Sequence, residues 1–392
     1  TARRARIDSR LEWNFQIMAT SRRISGGRKD RLLARGYRRR IAWRRERGDG
    51  AATMTRPALP VIDLSAFDAG GAARDAFLAA LGAAARDIGF FYLCGHGIPE
   101  TRIQAMITEA RRFFALPEDR KTAIAMVNSP HFRGYTRAGG ERTRGRPDWR
   151  EQIDIGVERP AMPRLPGAPA WTRLPGPNQW PEGMPEFPTL TLAWLDETMA
   201  VLRRLLRGFA LALGQREDAF DAISSTTPNN LVKLIRYPGR ETTGDDQGVG
   251  AHKDGGFLTL LLQADRGGLQ VEAADGSWID AAPLPGSFVV NIGELLEMAS
   301  DGYLKATVHR VVAPPAGTDR LSIAAFLRAD LDATVPLIDL PSGLAALRRG
   351  VTRDPANPLL RNVGDNVLKG RLRSHPDVAA RHYADLAGGM AG

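Results

Sequence analysis

Between residues 190 and 213, apolar side chains recur at intervals of three and four: Leu192, Leu195, Met199, Leu202, Leu205, Leu206, Phe209 and Leu213. That spacing puts them on one stripe of a long helix, which predicts a scaffold packed against a sheet. Shorter stripes predict a helix over 71–86, with Phe77, Leu78, Leu81, Ala84 and Ala85 inward, and another after Pro99. The second carries Ile103, Met106, Ile107, Ala110, Phe113 and Phe114 and stops before Pro117. Residues 61–64 and 89–93 read as strands, the latter ending at the turn Gly95-His96-Gly97. Residues 128–188 are rich in Pro, Gly and Arg with little period, and predict long loops. From residue 230 the texture changes to short strand-like runs at 231–237, 257–263, 268–272, 278–280, 288–292, 307–312 and 321–326. Turn pairs such as Pro238-Gly239, Gly267-Gly268 and Asp275-Gly276 separate them. Many short, closely spaced strands argue for a β-sandwich, jelly roll or barrel. The stretch from about 336 to 392 reads as loop and helix, and no fixed repeat runs through the chain.

Composition narrows the class only slightly. Hydrophobic residues make up 43% of the 392 and charged residues 25%, the usual mix for a soluble globular protein. The longest apolar runs fall far short of a membrane span, and no export signal is visible near residue 1. A single cysteine, Cys94, excludes an internal disulfide and a multi-cysteine zinc site, and fits a reducing cytoplasm.

Charge is unevenly placed. Residues 1–53 hold 16 Lys and Arg against 5 Asp and Glu, whereas the remaining 38 basic and 39 acidic side chains nearly cancel. The net charge of +10 therefore belongs to a tail. That tail starts at Thr1, is dominated by Arg, and gives way at Met54 to a stretch that reads like an ordinary protein beginning. The expectation is upstream sequence translated from an early start, since Arg, Ala and Gly are what GC-rich codons produce. A disordered basic arm for nucleic acid or anionic lipid is the competing reading, and it supports a nucleic-acid-associated protein as the alternative class. An Arg-rich transit peptide is another, although Asp8, Glu12, Asp30, Glu46 and Asp49 speak against it.

Candidate chemistry comes from six histidines. His252 and Asp254 are two apart, so an extended backbone turns both to one face. His309 lies in another strand-like run, which a sandwich can place alongside. Two imidazoles and a carboxylate form a facial triad, leaving three octahedral positions for substrate and dioxygen at a non-haem Fe(II). Isolated His-x-Asp patterns are common, however. Arg320-Leu321-Ser322 adds weight: a guanidinium and a hydroxyl on one face can grip the far carboxylate of a dicarboxylic cosubstrate. Pairing of Arg320 with Asp319 or Asp330 is the purely structural alternative. His96 reads as a turn residue, and His131, His375 and His382 have no ligand spacing. The Arg-rich run from Arg133 to Arg150 reads as solvated loop, with reception of an acidic substrate as the other reading.

In this order the motifs resemble the isopenicillin N synthase-like family of Fe(II)/2-oxoglutarate oxygenases over nearly everything after Met54. The residues that carry the resemblance are those of 90–98, Phe132-Arg133-Gly134-Tyr135, Asp148-Trp149-Arg150-Glu151, Asn178-Gln179-Trp180-Pro181 and Leu234-Ile235-Arg236-Tyr237-Pro238. His252-x-Asp254, Gly268-Leu269-Gln270-Val271, Asn291-Ile292-Gly293-Glu294, His309-Arg310-Val311 and Arg320-x-Ser322 complete it. The resemblance implies a mixed α and β fold, a double-stranded β-helix (jelly roll) flanked by helices. With the extension 1–53 set apart by its charge, it divides the rest into an N-terminal oxygenase region 54–190, a jelly-roll domain 229–332 and a C-terminal loop and helix segment 333–392. It implies Fe(II) on His252, Asp254 and His309, and 2-oxoglutarate on Arg320 and Ser322 with Tyr237 at its edge. Dioxygen would then oxidise a small-molecule substrate as 2-oxoglutarate is converted to succinate and carbon dioxide. Two positions depart from the family: Ile235 stands where many plant-type members have Asn, and Glu294 where Asp is common. A few members work without 2-oxoglutarate, forming a ring or an alkene, and this is the alternative within the family.

Overall fold

The stripe anticipated from Leu192 to Leu213 forms one helix, Phe187–Ala212, in a computed structural model that describes residues 59–224, 228–241, 246–351, 354 and 357–386. The basic tail 1–53 and the start at Met54 lie outside the described residues. In chain order the strands are β1 (Val61–Asp63), β2 (Phe90–Cys94), β3 (Gly134–Thr136), β4 (Arg142–Thr143), β5 (Arg146–Pro147), β6 (Glu151–Gly156) and β7 (Leu231–Tyr237). They continue as β8 (Gln247–His252), β9 (Leu258–Gln263), β10 (Leu269–Glu272), β11 (Trp278–Asp280), β12 (Phe288–Ile292), β13 (His309–Val312) and β14 (Arg320–Leu327). The α-helices are α1 (Ser65–Ala69), α2 (Gly71–Asp87), α3 (Glu100–Phe114), α4 (Glu118–Ala123), α5 (Phe187–Ala212), α6 (Glu294–Ala299), α7 (Ser342–Ala345), α8 (Val363–Ser374) and α9 (Pro376–His382).

An eight-stranded sheet runs β1-β2-β12-β9-β14-β7-β6-β3, and a four-stranded sheet runs β11-β10-β13-β8. The central strand β14 shows why its sequence reads as an unbroken buried run. Leu321, Ile323, Ala325 and Leu327 face the helices and join Trp194, Leu195, Leu202, Leu205 and Phe209 of α5 in one core. Ala324 instead belongs to a second apolar cluster with Ile235, Tyr237, Val249, Leu269, Val271, Val289 and Val311, drawn from both sheets. Alternate residues thus serve two cores, one between sheet and helices and one inside the sandwich.

Residues 128–188 are more ordered than their composition suggests. They contain β3, β6 and the β4–β5 hairpin, and all six residues of β6 are buried. Gln152 and Asp154 face the same side as Ile235 and Lys233 of β7. Polar residues on the inward face erase the apolar alternation by which the strand could have been read. No helix of the described residues is long and apolar enough to cross a membrane.

Candidate active site

β8 and β13 pair antiparallel with His252 directly opposite His309. Their rings lie 4.3 Å apart between centroids. Asp254 is two residues past the end of β8, so its approach does not come from strand alternation alone, as the sequence spacing suggested. The turn that carries it is pinned to the start of α6. Glu294 N–H donates to the Asp254 carbonyl at 2.7 Å, and Leu295 N–H to the Gly256 carbonyl at 3.1 Å. A Cβ on Gly293 would stand 2.1 Å from the Gly256 carbonyl oxygen, so only glycine allows this approach. Glu294, the departure from the common Asp, therefore acts here through its backbone, while burial pushes its carboxyl up to about 7.

Each of the three side chains has one face committed and one free. His252 Nδ1–H donates to the Gly250 carbonyl (2.8 Å) and His309 Nδ1–H to the Thr307 carbonyl (3.2 Å), which leaves both Nε2 atoms as lone-pair donors. Asp254 Oδ2 accepts from Thr259 Oγ1 (2.5 Å) and Asn291 Nδ2 (2.8 Å). Its Oδ1 faces His252 Nε2 at 3.5 Å and His309 Nε2 at 3.8 Å. The three ligand atoms all lie within 4.8 Å of one another, and among the described residues no other group of histidine, cysteine and carboxylate side chains has this geometry.

The electrostatics follow from burial and closeness. Burial disfavours charge on both imidazoles. For His252 the hydrogen bond and charge of Asp254 outweigh burial and raise it above its ordinary value. His309, buried and facing His252, is pushed down to about 4. Asp254 is held well below the carboxylate range, since both histidines and Thr259 favour its charge more than burial opposes it. An anionic carboxylate and two nitrogen donors converging on one point suit a divalent cation.

Arg320 opens β14 and is fully buried. Its Nη1–H donates to Ser322 Oγ (3.2 Å) and its Nη2–H to Gln263 Oε1 (2.9 Å), while Nε has no partner. Tyr237, its neighbour across the β7–β14 ladder, places its ring 4.8 Å from the guanidinium carbon. Asp319, the acid considered as a structural partner, instead binds Arg236 at 2.8 Å. No carboxylate among the described residues pairs with Arg320, and burial lowers its pKa. A buried guanidinium without a counter-ion is costly; a carboxylate arriving from outside the chain would satisfy it. Ile235, opposite Ser322, offers no polar atom from its side chain to such a guest.

The structure thus brings His252, Asp254 and His309 together at one end of the β8–β13 ladder, and Arg320, Ser322 and Tyr237 together on the facing sheet. Thr259, Asn291 and Gln263 were not anticipated. Asn291 sits in a motif that sequence comparison marks, but nothing in its spacing ties it to Asp254; Gln263 and Thr259 carry no such signal. The Arg-rich run also requires correction. Arg137, Arg142, Arg144 and Arg146 are exposed, as a solvated loop would have them, yet Arg133 is buried and Arg150 lies between Glu141 and Asp148. His96 is a buried turn residue whose Nδ1 accepts from Ile98 N–H at 3.1 Å.

A jelly roll that gathers two imidazoles and one carboxylate inside its sandwich is the architecture of a non-haem iron oxygenase. Residues 59–183 match the model described as non-haem dioxygenase in morphine synthesis N-terminal, and residues 228–329 match that of the 2OG-Fe(II) oxygenase superfamily. A curated relative, the 2-oxoglutarate-dependent dioxygenase frbJ of Dothideomycetidae sp., is 35% identical over 355 residues, covering 86% of this chain and 95% of its own. A homoarginine-6-hydroxylase of Arabidopsis thaliana is 38% identical over 295 residues, covering 72% and 88%. Among solved structures, a full-length Neurospora crassa protein in complex with α-KG and thymine superposes with a TM-score of 0.65 at 26% identity, covering 86% of this chain and all of the other. The chain belongs to the isopenicillin N synthase-like 2OG-Fe(II) oxygenase family. It is an Fe(II)- and 2-oxoglutarate-dependent dioxygenase, using dioxygen to oxidise a small molecule.

Proposed function

We propose that His252 Nε2, Asp254 Oδ1 and His309 Nε2 hold the Fe(II), that Arg320 and Ser322 receive the distal carboxylate of 2-oxoglutarate, and that Tyr237 borders it. The observation that carries this reading is the convergence of three uncommitted ligand atoms inside the sandwich whose facing sheet carries a buried guanidinium with no carboxylate partner. When bound, iron with 2-oxoglutarate and dioxygen supplies the oxidant that takes hydrogen from a substrate C–H bond, releasing succinate and carbon dioxide. The chain does the positioning. Thr259 and Asn291 fix Asp254 so that one oxygen points inward, and two backbone carbonyls fix the imidazole tautomers. Ile235, Val249, Val271, Val311 and Ala324 keep the interior apolar, which strengthens the electrostatic grip of Arg320.

Within this proposal 54–190 is the N-terminal oxygenase region, 229–332 the jelly-roll domain and 333–392 a C-terminal loop and helix segment. A cytoplasmic location rests on the single cysteine. Homoarginine and thymine, named for two of the similar proteins, are the first substrates to assay. The test is calorimetric titration of 2-oxoglutarate into the Mn(II)-loaded protein, together with succinate release under Fe(II). Saturable binding that depends on the metal supports the assignment. Unchanged binding in His252→Ala and Arg320→Ala would remove it.

A further inference from the structure

The face of β14 that lines the sandwich carries an arginine beyond each end of its apolar stretch. Arg320 stands at one end, and Arg328 follows β14 eight residues on at the same parity, about 26 Å away at the usual strand rise. Arg328 donates its backbone N–H to Asn230 Oδ1, and its guanidinium carbon lies 5.6 Å from the Phe326 ring centroid. Its guanidinium makes no hydrogen bond or ion pair with the described residues. Asp254 of the triad is within its electrostatic reach, as are Arg371 and Asp154.

Arg133 approaches the same place from the loop before β3. It is 3% exposed; Nη1–H donates to the His131 carbonyl, and Nε is left with no partner. The strand beneath is shaped for it, since a Cβ on Gly156 would fall 2.4 Å from its Nε and Nη2. Arg371 of α8 joins them, giving Nη1–H to Asp154 Oδ2 at 2.8 Å and leaving Nη2 unpartnered.

The ion pairs around this place leave two guanidiniums over. Arg150 is matched by Glu141 and Asp148, Lys233 by Glu141, and Arg371 by Asp154. His375 faces Glu141 but is held near 4, hence neutral, chiefly by burial. Among the described residues Arg133 and Arg328 remain with no carboxylate of their own. Burial, then the charge of Arg371, lowers each to about 9, so both are still cations at neutral pH. Arg133 is buried and Arg328 half-buried; guanidiniums drawn out of water without a counter-ion call for an anion, and planar N–H forks hold a carboxylate or phospho group best.

We propose that the substrate carries an anionic group, a carboxylate or a phospho group, held by Arg133 and Arg328 with the spare N–H of Arg371, at the end of the sandwich opposite Arg320. This rests on the reading that the triad oxidises a small molecule beside it. The two anions, cosubstrate and substrate, then enter at opposite ends of one strand face, with the metal ligands between.

The test uses the full chain saturated with Mn(II) and 2-oxoglutarate, so that Arg320 is occupied. Acetate, butyrate, benzoate, indole-acetate and methylphosphonate are titrated calorimetrically, alongside acetamide and benzamide. At least one anion binds and its amide binds at least tenfold more weakly; preference for carboxylates or for the phosphonate identifies the group. Arg328→Gln and Arg133→Gln each weaken the anion at least tenfold while leaving the 2-oxoglutarate affinity within twofold. Among the described residues the Arg328 guanidinium has no hydrogen bond or ion pair to lose, only its contact with the Phe326 ring, so its variant carries the test if Arg133→Gln does not fold. Failure of every anion to bind, amides binding equally well, or unchanged affinity in Arg328→Gln would each overturn the proposal. Absence of 2-oxoglutarate binding by the Mn(II)-loaded wild type would instead strike the reading beneath it.

Discussion

Replacing Arg320 with Met separates binding from folding, because this guanidinium is buried without a counter-ion. Its loss leaves Ser322 Oγ and Gln263 Oε1 without their donor, at about 1 kcal/mol each. Against that, the fold no longer has to desolvate an unpaired charge, a relief on the order of several kcal/mol. Met fills comparable volume and lies against the Tyr237 ring. The cosubstrate-free protein should therefore be as stable as wild type or more so, with its melting temperature unchanged or raised. Binding responds in the opposite direction. Two charge-assisted hydrogen bonds to a carboxylate, at about 1.5–3 kcal/mol each, give a weakening of roughly 10²- to 10⁴-fold in 2-oxoglutarate affinity. Calorimetry on the Mn(II)-loaded protein reads the second effect, and thermal unfolding with and without 2-oxoglutarate reads both. A variant that melts many degrees lower yet binds 2-oxoglutarate within threefold of wild type would refute the reasoning, since Arg320 would then be a structural residue.

Three further outcomes follow from the geometry. Thr259→Val and Asn291→Leu each remove one hydrogen bond from Asp254 Oδ2 and should lower metal affinity by about 10- to 100-fold, with a native circular dichroism spectrum; unaltered metal titrations would mean that Asp254 needs no such support. His375 is buried and depressed to about 4, so below pH 6.5 the unfolded chain takes up a proton that the folded chain refuses. Stability should fall by roughly 3 kcal/mol between pH 6.5 and 4 on this account, and urea unfolding of His375→Asn should show a flatter profile over that range. Gly156→Ala drives a methyl into the Arg133 guanidinium and should cost about 1–3 kcal/mol; a variant as stable as wild type would show that Arg133 can simply move aside.

Much of the site could be read from sequence because its parts are short-range. His252-x-Asp254 and Arg320-x-Ser322 are local pairs, and β14 and α5 announce themselves by period. What bound the pairs into one site could not be read. β8, Gln-Gly-Val-Gly-Ala-His, has two glycines in six residues and weak strand propensity; it is extended because β13 pairs with it. The register that sets His252 opposite His309 is a tertiary fact with no local trace. The buried guanidiniums were hidden for a related reason. Arg133, Arg328 and Arg371 are separated by some 240 residues of chain and meet only through β6, β14 and α8. In sequence each resembles an ordinary surface arginine; what distinguishes them is that they are buried or half-buried and that, among the described residues, only Arg371 has a carboxylate partner.

In the proposed site His252, Asp254 and His309 hold one iron through which 2-oxoglutarate is consumed. Anaerobic loading with Fe(II), desalting and metal analysis, followed by succinate measurement on admitting dioxygen with 2-oxoglutarate and a candidate substrate, tests it directly. One iron per wild-type chain and iron-dependent succinate are expected, with both lost in His252→Ala, Asp254→Ala and His309→Ala although the variants remain folded. Full iron occupancy and undiminished succinate in any one of these variants would contradict it.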